Sequence, residues 1–182
     1  MIDTLETERL TLRRWRSEDL EPWARINSDP QVMEWLGGCR TPEQCNDVIA
    51  RFERLFDEGL PSRYAVEVRD TGILAGVVGL QRLTFDAPFS PCVEIGWRIA
   101  SGLWGKGIAT EAARAVCADG FGRLGLEEIV SFTVPHNAAS RRVMEKLGMT
   151  YNPRDDFDHP NLPAGHALRR HVLYRLRNSF PR

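Results

Sequence analysis

Trp104-Gly105-Lys106-Gly107-Ile108-Ala109-Thr110-Glu111-Ala112 joins an apolar, strand-like run, Val93 to Ile99, to a helix-like run reaching about Leu124. Two glycines two apart at a strand-to-helix junction let the main chain approach a ligand closely, because no Cβ stands in the way. The helix that follows leaves its first N–H groups without intrahelical partners, and its dipole adds roughly half a positive charge there. Phosphate or pyrophosphate suits such a place. A tight turn that merely ends a strand uses the same residues, so the surroundings must decide.

Two phosphate-binding patterns are excluded. A P-loop requires Gly-Lys-Ser/Thr, whereas Gly107 and Ile108 follow Lys106 here. A dinucleotide fingerprint requires three spaced glycines after the first strand of a repeating βαβ unit, and that is absent.

Outward from this stretch the chain alternates strands and helices. Arg9 to Trp15 alternates as a first strand. Ser17 is placed to cap a short helix carrying Leu20, Trp23 and Ile26, with Glu18 and Asp19 in its first turn. Asp29-Pro30 marks a second helix start, and Thr41-Pro42-Glu43-Gln44 reads as a capping box with proline just inside. The helix after it repeats Cys45, Val48, Ile49, Phe52, Leu55 and Phe56, and stops at Gly59. Tyr64 to Arg69 and Ile73 to Leu83 form an expected hairpin around Asp70-Thr71-Gly72. Cys92 to Ile99 is the next strand, and the helix after the glycines aligns Ala109, Ala112, Ala113, Val116 and Cys117. Glu128 to Val134 is a strand, Asn137 caps a helix with Val143, Met144 and Leu147 inside, and Leu168 to Leu176 is the last strand. The order predicts one α/β (α+β) layer domain spanning 1–182, with its core at about 7–177.

The glycine stretch and this order together resemble the GNAT superfamily of N-acyltransferases over nearly the whole chain. Its acyl-CoA loop reads Arg/Gln, two residues, Gly, one residue, Gly/Ala, which maps onto Trp104, Gly107 and Ala109. Trp104 departs from Arg/Gln, and an aromatic there is similar to the branch of ribosomal-protein N-terminal acetyltransferases. The resemblance implies a mixed, mostly antiparallel sheet of six to seven strands flanked by helices, with one splayed parallel pair. It implies acetyl-CoA as cosubstrate, with the main chain of Trp97 and Ile99 along the pantetheine. Trp104, Gly105, Lys106, Gly107, Ile108, Ala109 and Thr110 would surround the pyrophosphate. Asn137-Ala138-Ala139-Ser140 matches a family segment whose Asn bonds the cofactor arm and whose Ser lies near the sulfur. Met144 stands where many relatives carry a proton-donating Tyr, and methionine cannot donate. Ser140, another Tyr or water is then left to protonate the thiolate; Tyr174 reads as core or binding wall. The resemblance also implies a homodimer.

Only a free amine attacks a thioester, so a base is expected, and Glu94 on the strand bordering the acyl site is the candidate. A lone strand Glu is equally suited to solvent or an ion pair. The acceptor reads as a protein N-terminal amine or a small-molecule amine. Two other functions fit the loop: a CoA-binding sensor or scaffold without catalysis, and a nucleotide-phosphate binder. His159, His166 and His171, with Asp155, Asp156 and Asp158, match no compact metal motif and suggest a substrate lid. Trp15, Trp23 and Trp35 suit either the core or the acceptor cleft.

Composition narrows the class. The 182 residues carry 24 Lys and Arg against 25 Asp and Glu, a net charge of −1, which argues against a general nucleic-acid binder. No apolar run reaches the roughly 18 residues a membrane span needs, and Met1 to Arg13 lacks the centre of a signal peptide. Cys39, Cys45, Cys92 and Cys117 are scattered, so reduced thiols in a cytoplasmic protein are expected, with no metal.

Overall fold

The computed structural model describes residues 4–178. Its elements run β1 (Thr4–Glu6), β2 (Leu10–Arg13), α1 (Leu20–Ser28), α2 (Pro30–Met33), α3 (Pro42–Asp57), β3 (Arg63–Val68) and β4 (Ile73–Arg82). Then follow β5 (Val93–Ile99), α4 (Ile108–Gly122), β6 (Glu128–Thr133), α5 (Ala138–Lys146), β7 (Thr150–Tyr151), β8 (Phe157–Asp158) and β9 (Arg170–Arg177). Among the described residues the strands form one nine-stranded sheet in the order β1-β2-β3-β4-β5-β6-β9-β7, with β8 on β9. The extra strands beyond the expected six to seven are β1, β7 and β8, segments of two or three residues too short to show a period. No helix is long and apolar enough to cross a membrane among the described residues.

Every neighbouring pair is antiparallel except β5 and β6. These two share a single register pair, Glu94 with Val130, and then part. The splayed parallel pair is therefore present. The cause lies in the neighbours: β5 keeps seven register pairs with β4, and β6 keeps six with β9, so each follows a different half of the twisting sheet.

Helices cover both faces. On one, Ile108, Ala112, Ala113, Val116 and Cys117 of α4 pack with Ile95, Ile99 and Met144. The stripe of small residues lets α4 lie close: a Cβ on Gly120 would stand 2.8 Å from Leu80 Cδ1. On the other face Trp23 and Ile26 of α1 and Cys45, Ile49 and Phe52 of α3 cover Ala65, Leu74 and Val77. Trp15 and Trp23 meet edge to face at 5.2 Å, so both serve the core.

Three caps behave as their sequences imply. Gln31 N donates to Asp29 Oδ1, Gln44 N to Thr41 Oγ1, and Ser140 N to Asn137 Oδ1. Ser17 does not cap. Asp19 instead turns inward, 3% exposed, and accepts both Arg13 Nη1 at 2.7 Å and Arg13 Nη2 at 2.9 Å. A buried guanidinium needs such a bidentate partner more than a short helix needs a cap. The histidine segment also differs from a lid. His159 and His171 stack into the aromatic cluster of Phe85, Phe132 and Phe157, with His159 4.5 Å from Phe85 and 5.3 Å from His171.

Candidate active site

The direction of the β5 main chain follows from three bonds. Ala100 N donates to Ala75 O, toward β4, whereas Ser131 Oγ donates to Ile95 O and Trp104 Nε1 to Ile99 O, away from it. Amide groups alternate along a strand, so the N–H and C=O of Trp97 face the opening between β5 and β6. Ser131 closes the narrow end of that opening and Trp104 stands at its wide end. Neither bond has a local sequence signal. Because Trp104 Nε1 holds the Ile99 carbonyl at 2.7 Å, main-chain acceptors for an extended ligand centre on Trp97 rather than on both residues.

The glycine loop stands at the wide end. Gly105 and Gly107 have φ of 75° and 80°, values that favour glycine, and Gly107 is the N-cap of α4. A Cβ on Gly105 would meet nothing within 4 Å, and one on Gly107 only Arg9 Nη2 at 3.5 Å. The space beside both glycines is thus nearly empty of protein atoms. Ile108 and Thr110 bury their side chains and Ala109 packs on the core, so their contribution to the loop is their amides. Lys106 is exposed, and its carbonyl accepts Arg9 Nη1 at 3.0 Å.

Arg9 is the residue that sequence reading missed. It pairs with Glu111 at 2.5 Å, while Thr7 Oγ1 donates to the same carboxylate at 2.6 Å. Burial works against the Glu111 anion, but the bonds from Thr7 and Arg9 outweigh it and hold the carboxyl below its ordinary range. Arg9 thereby neutralises an acid on the first turn of α4, leaving the field there positive, and buttresses the loop. It is 102 residues from Glu111, which is why no motif includes it.

At the other end, Asn137 donates Nδ2 to Thr133 Oγ1 at 3.0 Å while Oδ1 caps Ser140. One amide hydrogen and one lone pair remain for a ligand. Ser140 is half-buried on the first turn of α5. Met144 is wholly buried in the core, with nothing to offer a leaving group. Tyr174, 2% exposed, accepts from Arg141 Nε at 3.2 Å and stacks on Tyr151 at 5.1 Å, which places it in the core.

Glu94 sits at the last paired position before the strands part. Ile95 and Ile99 point to the α4 face, so Glu94, Gly96 and Arg98 point to the α1 face. Arg63 Nη2 donates to Glu94 Oε2 at 3.1 Å. Burial pushes the Glu94 carboxyl up and Arg63 pulls it back, with burial prevailing. Its side chain keeps 19% of its exposure, so a proton can still enter and leave.

An open glycine cradle at a helix start, beside a parallel pair that parts, is the geometry expected of a GNAT fold. A family model described as Acetyltransferase (GNAT) domain matches residues 9–150. The chain belongs to this family. It is 33% identical over 150 residues to the uncharacterized N-acetyltransferase YoaA of Bacillus subtilis strain 168, covering 81% of this chain and 83% of that one. A GNAT-family acetyltransferase from Bacillus anthracis superposes with a TM-score of 0.78 at 27% identity, covering 96% and 98% of the two chains. The ribosomal α-N-protein acetyltransferase RimL, solved in complex with coenzyme A, shares the fold with a TM-score of 0.77 at 15% identity, covering 96% and 97%. Like its family, this GNAT chain is an acetyl-CoA-dependent N-acetyltransferase.

Proposed function

We propose that this GNAT enzyme passes the acetyl group directly to a primary amine, of a protein N-terminus or a small molecule, in a ternary complex. One observation carries the reading: Glu94, its carboxyl raised by burial, lies where β5 and β6 separate. The residues present fit acetyl-CoA, since the cradle at Gly105 and Gly107 is open and the Trp97 main chain faces the opening. The amides of residues 107–110 would hold the pyrophosphate, with Lys106 adding charge at the rim. Trp97 N–H and C=O would bond the pantetheine as an added strand does, and Asn137 would bond its far end. Acetyl-CoA supplies an activated thioester.

The chain's own groups do the rest. Glu94, directly or through one water, takes a proton as the amine nitrogen bonds to the thioester carbonyl carbon and the carbon–sulfur bond breaks. Ser140 or water returns a proton to the thiolate, a fair leaving group because thiols ionise near about 8.5. That explains how Met144 can be tolerated. An α-amine, with a pKa of about 7.7–8.0, is roughly a tenth free at neutral pH, whereas a lysine amine near about 10.4 is almost wholly protonated. A modest base therefore suits an α-amine better. The test is thiol release from acetyl-CoA with a panel of peptides and small amines. Acceptor-dependent release is expected; tight CoA binding with no release for any amine would leave a CoA-binding module instead.

A further inference from the structure

The α1-facing side of β5 holds more positive charge than its mechanism uses. Arg63 extends from the start of β3 across Gly96, where an added Cβ would stand 3.0 Å from its Nη2. Arg98 lies with Cζ 5.2 Å over the Trp23 ring and donates Nη1 to Asn27 Oδ1. Arg40 is tied to the end of the same helix, its N–H donating to Asn27 O at 3.0 Å. Arg51 on α3 reaches Gln81 Oε1 at 3.5 Å. The only ion pair among these four arginines is that of Arg63 with Glu94, among the described residues.

Their donors are also in surplus. Arg63 Nε, Arg98 Nε and Trp23 Nε1 are buried and have no acceptor among the described residues, and the one other such atom, Asp156 Oδ1, belongs to a different part of the sheet. Burying an unpaired donor is unfavourable, and burying the Arg98 guanidinium without an ion-pair partner among the described residues is more so. The strain shows in the titration: burial first, then Arg40 and Arg63, pull Arg98 down to about 9. Burial, then Arg63, Arg40 and Arg54, pull Arg51 down as well. Guanidinium does not deprotonate in proteins, so Arg98 and Arg51 stay charged, with burial the first cause of their shifts and the neighbouring arginines the second. The Arg63–Glu94 end of this face is reachable, since those side chains keep 20% and 19% of their exposure, and Arg98 is half-buried beside it.

We propose that the acceptor is an amine that carries a carboxylate, received by the guanidiniums of Arg98 and Arg63 on the face of β5 that presents Glu94. A planar fork that matches a carboxylate bidentately is what arginine offers and lysine does not. Gly96 lies between Glu94 and Arg98, so the amine and the anion are read two to four residues apart on one strand face, roughly 7–13 Å. Free acidic amino acids and acidic peptide N-termini share this chemistry. The inference rests on the reading of Glu94 as the base.

The test uses the full chain, acetyl-CoA and matched acceptors. Glutamate and aspartate are compared with their diamides, and peptides with Glu or Asp at the second position with their Gln or Asn counterparts, each per free amine. The acidic member of a pair is expected to have at least tenfold higher kcat/KM, mostly through KM. The free and peptide arms identify which source is preferred. Arg98→Gln should abolish the preference and Arg98→Lys should restore part of it, with CoA affinity by calorimetry unchanged. Arg51→Gln, nearer solvent, should give a smaller loss of the same sign if Arg98→Gln does not fold. Equal turnover of paired acceptors overturns the inference while leaving acetyl transfer intact. So does an Arg98→Gln defect in CoA binding, or in kcat alone for both members. Absence of thiol release with every acceptor, with CoA bound, overturns both.

Discussion

The two sides of β5 make their proposed sites by different means. Along its edge toward β6 the features are main chain: the Trp97 amide and carbonyl, the open turn at Gly105 and Gly107, and the first amides of α4. On its α1 face they are side chains brought from β3, β5, α1 and α3: Arg63, Glu94, Arg98, Asn27 and Arg51. A main-chain site depends on backbone conformation, and conformation is written locally, in glycines and caps. A side-chain site depends on which distant residues the sheet order brings together. The first should tolerate changes in side-chain identity but not in backbone freedom, and the second the reverse.

The largest expected effect lies on the side-chain face. Glu94→Gln should lower kcat about 10²–10⁴-fold, the usual range for a lost general base. Coenzyme A affinity by calorimetry should stay within about twofold. A variant as active as the parent would remove Glu94 from the reaction and weaken the contrast between the sides.

Next comes the main-chain side. Gly107→Val forces a β-branched residue to φ near 80°, at a cost of about 1–2 kcal/mol or more. CoA should bind about tenfold or more weakly, while kcat at saturating cosubstrate changes little. A side-chain change at the same loop, Lys106→Ala, should matter far less.

The pH profile sharpens the distinction. With an α-amine acceptor, kcat/KM should rise as Glu94 loses its proton, at a pH above the ordinary carboxylate value of about 4.3, because burial raises this carboxyl. Arg63 opposes that rise, so Arg63→Gln should move the limb to higher pH still. A limb that stays in place would mean that a different group titrates.

The smallest effect is on stability, away from both sides. Burial holds His159 and His171 below the ordinary imidazole value, and for His171 the bond to Arg169 O only partly offsets this. The folded state keeps them neutral where the unfolded chain takes protons, so stability is fully present above pH about 6.5 and declines below it. Urea midpoints at pH 7.5 and 5.5 should show the loss, and His159→Phe should reduce it.

Legibility in the sequence followed the same division. The glycine loop and the Asp29, Thr41 and Asn137 caps were readable from short patterns, and the splayed pair from the family resemblance. Ser17 failed as a cap because Arg13, four residues earlier, takes Asp19 into the interior. Arg9 and Ser131 were invisible, as each acts on a residue far along the chain. The histidines suggested a lid because their spacing is polar and proline-punctuated; Phe85 and Phe132, remote in sequence, turn two of them into packing.

The central claim is that the enzyme grips its cosubstrate with backbone between β5 and β6. A crystal structure of the complex with coenzyme A tests it most directly. The account predicts hydrogen bonds from the Trp97 main chain to the pantetheine and from the amides after Gly107 to the diphosphate. A β5–β6 ladder closed beyond Glu94 and Val130, with coenzyme bound on another surface, would contradict it.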